Sequence, residues 1–434
     1  MKNLIRSRNF ALGALFAAIL GALGLTQAAI SDGNQLSVVA PKFEVDPFWP
    51  KPLPNHWVMG MAIGVYVDAN DHIWMVHRSA TVDTTINLLD QGKGECCSAA
   101  PPVLEFDRAG NLLQAWGGPG EGYEWPASNH GIFVDYKGFV WIGGNGGPDS
   151  QILKFTQDGK FVAQYGKSGA RSQESALADP SAEFSADGFA ANSNDPNNFG
   201  RVAKIYVDAQ ANEAYIADGY LNHRVAVLDA DTGKMKRWWG AYGNVPNDAP
   251  LGAYDPNAPP AQQFRNPVHC ADMSVDRLVY VCDRVGDRLQ VFNPDGTFVR
   301  EMFYKTKTLD QGSVWDIAFS KDPQQKYIFM ADGVNEHVVV IDRATLTPLT
   351  TFGDGGNYAG EFHGVHSIAI DSSGNLYTTE TYEGRRIQKF VYKGISAVTQ
   401  FDQGVPIPSN SSEQQTNPVP TIPTMPAIPW PSTK

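Results

Sequence analysis

The sequence predicts an all-β chain that folds as a six-bladed β-propeller with loop insertions on one face. Short apolar runs rich in Val, Ile, Tyr and Trp alternate with turns of the Asp-Gly, Ser-Gly and Asn-Gly type. Helical periodicity is scarce after the first 28 residues. A strand–turn–strand unit also recurs six times along the chain, and such a repeat is typical of a radial β architecture.

The six units follow one another from residue 64 to residue 381. In chain order they read "GVYVDANDHIWMVHR" (64–78), "GIFVDYKGFVWIGGN" (131–145), "KIYVDAQANEAYIADG" (204–219), "DMSVDRLVYVCDR" (272–284), "IAFSKDPQQKYIFMADG" (317–333) and "IAIDSSGNLYTTET" (368–381). A second hairpin usually follows, as in "ILKFTQDGKFVAQYG" (152–166). Each unit therefore predicts a four-stranded sheet. One sheet cannot bury both faces alone, whereas six stacked radially can, so we expect a single propeller over residues 55–395.

The two ends of the chain differ from this repeat. Basic residues, an apolar run ("FALGALFAAILGALGL") and small residues ending at Ala28 predict a signal peptide over 1–28, because the run is short for a membrane anchor. Residues 29–54 form an N-terminal extension, and the Pro/Ser-rich residues 396–434 form an extended or disordered tail. We therefore expect a periplasmic or secreted monomer with no stable membrane span after processing.

The charge balance argues against one class of partner. The formal net charge is −12, and no long cluster of Lys and Arg is present. Nucleic-acid binding requires a basic face that neutralises phosphates. We therefore expect no nucleic-acid partner.

The four cysteines form an even set, which export would allow to oxidise. Cys270 and Cys282 flank a turn near Asp276, so antiparallel pairing places them opposite each other. We expect a cross-strand disulfide there, with Cα atoms less than about 7 Å apart. Cys96 and Cys97 are adjacent, and either a vicinal disulfide or two thiols fit them.

Histidine recurs at one position of the repeat, the start of the innermost strand. Units two, four and six carry it there, as His130, His269 and His366. The other units carry apolar residues at that position, namely Ile63, Ala203 and Trp315. Alternate blades of a six-fold ring are about 120° apart, so the three rings should converge on the axis, with ring nitrogens about 3–4 Å apart. Three histidines match the ligand count of a catalytic zinc site, and imidazole also suits other divalent transition metals such as Cu, Ni, Fe or Co.

Other histidines compete for this role. His363 is the main rival, because it stands three residues before His366. His77, His223 and His337 lie near the ends of second strands or in the next strand and are weaker candidates. Three unrelated histidines that merely line the channel would be the alternative to a metal site.

Three polar residues follow second strands, which end on the face where the innermost strands begin. They are Arg78, Tyr220 and Arg284. An arginine can hold a carboxylate in a bidentate contact. A tyrosine beside a metal and an arginine can have its pKa lowered enough to act as a base. For Arg284, an ion pair with Asp283 or Asp287 is the structural alternative.

The same face collects the long insertions at 79–101, 167–200 and 241–263. Loops gathered on one rim of a rigid scaffold are where binding and catalysis concentrate. The functional site is therefore expected on this face, which we call the top.

Several motifs resemble a known family. "VHRS", "NHGIFVD", "ADGYLNHRV", "NPVHCADM", "CDRVGDRLQVF" and "GEFHGVHSIAIDSSGNLYTTE" are similar to the NHL-repeat propeller of peptidyl-α-hydroxyglycine α-amidating lyase. The resemblance covers about residues 55–395. It implies that His130, His269 and His366 bind a catalytic zinc and that Arg78, Tyr220 and Arg284 are active-site residues. It also implies a small or peptide-derived substrate with a carbinolamide C–N bond, whose cleavage releases an amide and an α-keto acid such as glyoxylate.

The sequence departs from that family at two positions. The family binds a structural calcium partly through an Asp directly after the last zinc-binding histidine, and Ser367 stands there in this chain. Gly364 replaces a methionine of the family two residues before His366. A non-catalytic NHL propeller that binds a ligand or protein on its top face, or a metal-dependent hydrolase or lactonase, would fit the same fold.

Overall fold

Six four-stranded antiparallel sheets surround a central axis in the computed structural model, which describes residues 38–82, 96–173 and 185–408. The innermost strand of each blade contacts that of the next, and the sixth contacts the first, so the ring is closed. The predicted six-bladed propeller is thereby confirmed. Among the described residues, no helix is both long and apolar enough to cross a membrane.

The strands are numbered in chain order. They are β1 (Val39–Asp46), β2 (Trp57–Val58), β3 (Met61–Val67), β4 (Ile73–Arg78), β5 (Ser98–Ala99), β6 (Val103–Phe106), β7 (Leu112–Trp116), β8 (Asn129–Val134), β9 (Phe139–Gly144), β10 (Gln151–Thr156), β11 (Phe161–Gly166), β12 (Val202–Asp208), β13 (Glu213–Asp218), β14 (Arg224–Asp229), β15 (Met235–Trp239), β16 (Val268–Met273), β17 (Val279–Asp283), β18 (Arg288–Phe292), β19 (Phe298–Phe303), β20 (Asp316–Phe319), β21 (Tyr327–Asp332), β22 (His337–Asp342), β23 (Thr347–Phe352), β24 (Val365–Ile370), β25 (Leu376–Glu380) and β26 (Ile387–Ala397). Short 3-10 turns occur at Pro54–His56, Ser79–Thr81 and Ala241–Gly243.

Each blade runs outward from the axis along the chain. Blades one to five contain β3-β4-β6-β7, β8-β9-β10-β11, β12-β13-β14-β15, β16-β17-β18-β19 and β20-β21-β22-β23. Blade six contains β24, β25 and β26, and β1 supplies its outermost strand. The short strands β2 and β5 pair in parallel outside the blades.

Blade six is therefore built from both ends of the described chain. Strand β1 lies within the segment expected to be an N-terminal extension, and its Val39 pairs with Ala397 of β26. The ring of Phe43 packs against Phe329 and Phe352 of blade five. Residues 396–408 of the expected tail also lie on the propeller, where the Val45 amide donates to the Pro406 carbonyl. The predicted signal peptide and the rest of the tail are outside the described residues.

A repeated aspartate explains the turn between the first two strands of a blade. Asp68, Asp135 and Asp371 each end the apolar run of an innermost strand. In each case the Oδ1 atom accepts backbone N–H groups two and four residues later. An Asp side chain that bonds its own downstream backbone favours a tight turn. The repeated "VD" and "ID" pairs of the sequence therefore set the hairpin register.

The hydrophobic core lies between neighbouring blades. Trp74 and Val76 of blade one, for example, pack with Ile132 and Val134 of blade two. The aromatic and β-branched residues of the sequence units fill these layers, because each sheet must cover both of its faces. The result is a rigid ring around the channel.

Contacts between acidic and basic side chains recur at the top rim of the blades. An acidic residue at the end of a second strand pairs with a basic residue at the start of the third, in Asp218–Arg224 (2.8 Å), Asp283–Arg288 (2.7 Å), Asp332–His337 (3.2 Å) and Glu380–Arg386 (2.6 Å). Three of the four acids also accept backbone N–H groups from the incoming connection, at Gly200, Arg265 and His363. The ends of these three connections are thereby tied to the top ends of the second strands.

Both cysteine pairs are bonded. Cys270 and Cys282 are register partners on β16 and β17, with Cα atoms 4.8 Å apart, as the hairpin predicts. Cys96 and Cys97 form the vicinal disulfide that the sequence left open against two thiols. The described part of the chain contains no free cysteine.

Candidate metal centre

The three recurring histidines lie where the repeat places them, near the starts of innermost strands β8, β16 and β24. Each is at most 3% exposed. The Nδ1 atoms of His130, His269 and His366 donate to backbone carbonyls of the next blade, those of Ala203 (2.6 Å), Trp315 (2.6 Å) and Ile63 (2.7 Å) respectively. The ring therefore alternates histidine and carbonyl at equivalent positions. A carbonyl can only accept, so Nδ1 carries the hydrogen and each Nε2 presents a lone pair.

The three imidazoles converge on the axis. Their ring centroids are 4.8 to 5.1 Å apart, and one ligand atom from each lies within 4.8 Å of the others. The Tyr220 hydroxyl lies between two of the rings, 2.9 Å from His130 Nε2 and 3.1 Å from His269 Nε2. Two of the three Nε2 atoms thus share one O–H group.

This arrangement fits a metal on chemical grounds. Within the described ranges, Tyr220 is the one hydrogen-bond donor that reaches these Nε2 atoms, and a single O–H can satisfy a single lone pair. The Nε2 lone pairs that this O–H does not occupy are available to bind a metal. The burial of the rings lowers the pKa of all three histidines, with His366 reaching about 3, so they are neutral at pH 7. Neutral imidazoles oriented through Nδ1–H are the usual form of metal-binding histidines.

Arg284 approaches the centre from blade four. Its Nη1 donates to the Tyr220 hydroxyl (3.2 Å), and its Nη2 donates to the side-chain oxygen of Gln311 (2.5 Å). The guanidinium carbon lies 4.5 Å from the centroid of the Trp315 ring. The proposed alternative, an ion pair with Asp283 or Asp287, is not formed. Asp283 is paired with Arg288 instead, and Asp287 accepts hydrogen bonds from Ser313.

Arg78 approaches from blade one. Its Nη2 donates to Asn145 Oδ1 (2.7 Å), and its Nε donates to the Asn129 carbonyl (3.3 Å). Burial is the largest influence on its guanidinium and lowers the pKa from its usual value. Among the described residues, no carboxylate lies within 4 Å of Arg78 or Arg284, so neutral amides hold both cations. Two uncompensated guanidinium groups beside one pocket favour an anionic ligand.

The protein groups alone do not favour a phenolate at Tyr220. Burial is the largest influence and raises the pKa of its hydroxyl, while Arg284 and Arg78 act in the opposite direction. The expectation of a lowered pKa counted both a metal and an arginine. Without the metal's charge, the desolvation of the phenolate outweighs the two arginines.

A second buried cluster lies next to the histidines in the channel. The Lys204 ammonium pairs with Asp272 (2.9 Å) and Asp316, and the Ser367 hydroxyl donates to Asp316 (2.7 Å). Burial acts against the ammonium, but the two carboxylates outweigh it and raise the pKa of Lys204. The carboxylates near Ser367 are thus already paired with a cation. These residues do not fit the calcium site that the family resemblance implies.

The rival histidines lie elsewhere. The side chain of His363 is 45% exposed and faces Glu383 at 3.6 Å, outside the three-histidine cluster. His77 accepts from the Gly60 amide and donates to the Pro101 carbonyl. His223 bonds the Phe264 carbonyl, and His337 pairs with Asp332. These four side chains are engaged in local contacts of the scaffold.

Two residues of the site were not anticipated. Asn145 occupies the position in unit two that Arg78 occupies in unit one, so the alignment of repeats contained a signal for it. Gln311 lies in an irregular connection with no counterpart in the other units. The sequence therefore offered no signal for Gln311.

Comparisons with known proteins found similar solved structures. No protein-family model matches the sequence, and no curated protein matches it. A streptogramin B lyase structure is 14% identical, with 81% of this chain and 98% of that chain covered at a TM-score of 0.46. A catalytically inactive variant of virginiamycin B lyase from Staphylococcus aureus is 12% identical, with coverages of 81% and 88% and a TM-score of 0.43. A protein of unknown function from Bacteroides thetaiotaomicron is 12% identical, with coverages of 82% and 76% and a TM-score of 0.47. Likenesses of this degree do not identify the reaction.

Proposed function

We propose that this chain is an exported, metal-dependent lyase that cleaves a carbinolamide C–N bond. The metal is a divalent transition metal, and zinc is the preferred candidate. The substrate class is an N-acyl or peptidyl α-hydroxyglycine. The observation that carries the proposal is the cluster of three buried histidines, two of which contact Tyr220, together with two arginines held by neutral amides. The family resemblance supplies the reaction type.

The residues divide the work in a way that follows from their chemistry. His130, His269 and His366 would hold the metal through Nε2, and the bound zinc would supply a Lewis acid that acidifies a substrate hydroxyl. Arg284 and Arg78 would bind the substrate carboxylate and so orient the hydroxyl toward the axis. No calcium is part of the proposal, because Lys204 already neutralises the nearby carboxylates.

Tyr220 is placed to move the proton. In the reaction the hydroxyl loses a proton, its O–H electrons form the new carbonyl, and the C–N bond electrons pass to nitrogen. The released amide nitrogen gains a proton, so the net proton count is unchanged. One group between the hydroxyl and the nitrogen can perform both transfers. The Tyr220 hydroxyl, in contact with two histidines and Arg284, would take this role.

Metal analysis combined with a glyoxylate-release assay tests the proposal. Purified protein should contain about one zinc or other divalent transition metal per chain, and it should release glyoxylate from N-benzoyl-α-hydroxyglycine. Activity should be lost with a chelator and restored by the metal. Bound metal without glyoxylate release would favour a hydrolase or lactonase, and absence of metal would favour a non-catalytic binding propeller.

A further inference from the structure

A groove of about 560 Å³ opens among the top-rim connections of blades three to five. Its walls include Leu251, Tyr254, Val285 and Leu309, with the guanidinium of Arg265 at one side. We call it the Leu309 groove. Its volume is in the range of pockets that hold small ligands.

The groove adjoins the centre along the chain. Four of its lining residues are near neighbours of site residues, namely His223 (three after Tyr220), Asn266 (three before His269), Val285 (next to Arg284) and Asp310 (next to Gln311). These residues belong to connections at the top rim of blades three to five. The groove therefore lies close to the backbone of Arg284 and Gln311.

The lining is mixed, with Leu251, Val285 and Leu309 as apolar side chains, Arg265 as a cation and Asp310 as an acid. Leu309 is 57% exposed although it is a large apolar residue. Arg265 donates to the Gly252 carbonyl (2.9 Å) and lies over the Tyr254 ring, and no ion pair to it occurs within the described ranges. An apolar wall with one cationic donor suits a chain that carries both apolar side chains and carbonyl oxygens.

We propose that the Leu309 groove is the subsite for the acyl side of the substrate and selects peptides with apolar side chains before the cleaved C–N bond. The inference rests on the proposed function for the orientation of the substrate. With the carboxylate on Arg284 and Arg78 and the hydroxyl on the axis, the amide side must leave the centre. The groove offers it apolar side chains, among them Val285, which directly follows Arg284 in the chain. Such a subsite makes the enzyme selective for peptidyl over short acyl substrates.

Two readouts test the subsite, and one of them is independent of the lyase reaction. Binding of N-acetyl-Leu-Leu-amide is measured by calorimetry in the wild type, in Leu309→Ser and in the control Leu113→Ser. Leu113 is a comparable leucine, 46% exposed, on the outermost strand of blade one. Glyoxylate release is compared for N-acetyl-α-hydroxyglycine and N-acetyl-Leu-Leu-α-hydroxyglycine.

The subsite predicts that the wild type and Leu113→Ser bind the dipeptide amide equally and that Leu309→Ser binds it about tenfold more weakly, since an apolar contact is removed. The dipeptidyl substrate should have a KM about tenfold lower than the short one, and Leu309→Ser should remove that difference. Absence of binding in the wild type, or equal binding by all three proteins, overturns the subsite. Failure to release glyoxylate from either substrate overturns the proposed function instead, and the calorimetry then decides the subsite alone.

Discussion

The charge of Arg284 can be cancelled by a nearly isosteric change at the residue that holds it. In Gln311→Glu, a carboxylate replaces the amide oxygen that lies 2.5 Å from Arg284 Nη2. Arg284 is only 5% exposed, so the new pair would be weakly screened by solvent. The arginine would then be neutralised before any anionic substrate arrives.

The size of the effect follows from the contacts that the substrate would lose. A hydrogen bond to a charged group contributes about 1.5–3 kcal/mol, which corresponds to roughly a 10- to 150-fold rise in the KM of a carboxylate substrate. The kcat should change less than the KM, because the histidines and Tyr220 keep their positions. The assay is steady-state glyoxylate release from N-benzoyl-α-hydroxyglycine at constant ionic strength.

Gln311→Met separates the effect of a new negative charge from the effect of losing the hydrogen bond to Arg284. Methionine has a similar length, removes the hydrogen bond to Arg284 and adds no negative charge. We expect its KM to rise by a factor of less than about ten, because only a single hydrogen bond is lost. Equal KM values for the two variants would refute the reasoning that the neutral amide of Gln311 leaves the positive charge of Arg284 free to bind the substrate carboxylate.

Three further outcomes follow from the fold and the centre. His366→Ala should lower zinc affinity by more than about 100-fold, because even the loss of a residue that only supports a metal ligand costs about 10- to 100-fold. The control His363→Ala should leave zinc affinity unchanged. Equal losses of affinity in equilibrium dialysis would contradict the assignment of His366 as a ligand. Phe43→Ala should lower the free energy of unfolding, measured by urea denaturation, by about 3–5 kcal/mol, because the side chain is buried. The control Phe48→Ala changes a side chain that is 78% exposed and should lower it by less than about 0.5 kcal/mol. Burial lowers the pKa of His77 to about 4, so below pH 6.5 the unfolded chain takes up a proton that the folded chain refuses. In chelator-treated protein, the free energy of unfolding should therefore fall between pH 6.5 and pH 4 and show no contribution from this group above pH 6.5.

The sequence contained the parts of the site that follow from repetition. The three histidines occupy the same position in their repeat units. Because each unit forms one blade, this shared position places all three side chains at the axis of the ring. The facing of Cys270 and Cys282 likewise follows from a short hairpin, whose pairing is local. Both features depend on contacts that the repeat itself specifies.

Features that depend on distant pairing were not predicted. Strand β1 completes a blade whose other strands lie more than 300 residues later in the chain. The residue pattern of β1 does not indicate which strand it pairs with. The contact of Lys204 with Asp272 and Asp316 crosses the channel between three blades. Such contacts are set by ring closure, which local periodicity does not describe.

Closure of the ring by β1 has a consequence for folding. The sixth blade needs the first strand of the described chain and the last one together, so no growing chain can complete the ring before β26 has been made. Contacts of such high sequence separation slow folding, because the connecting chain must lose much of its freedom first. Until then, the part of blade five that Phe43 covers in the finished propeller, at Phe329 and Phe352, stays exposed. An unfinished propeller with this exposed apolar surface is prone to associate with other chains.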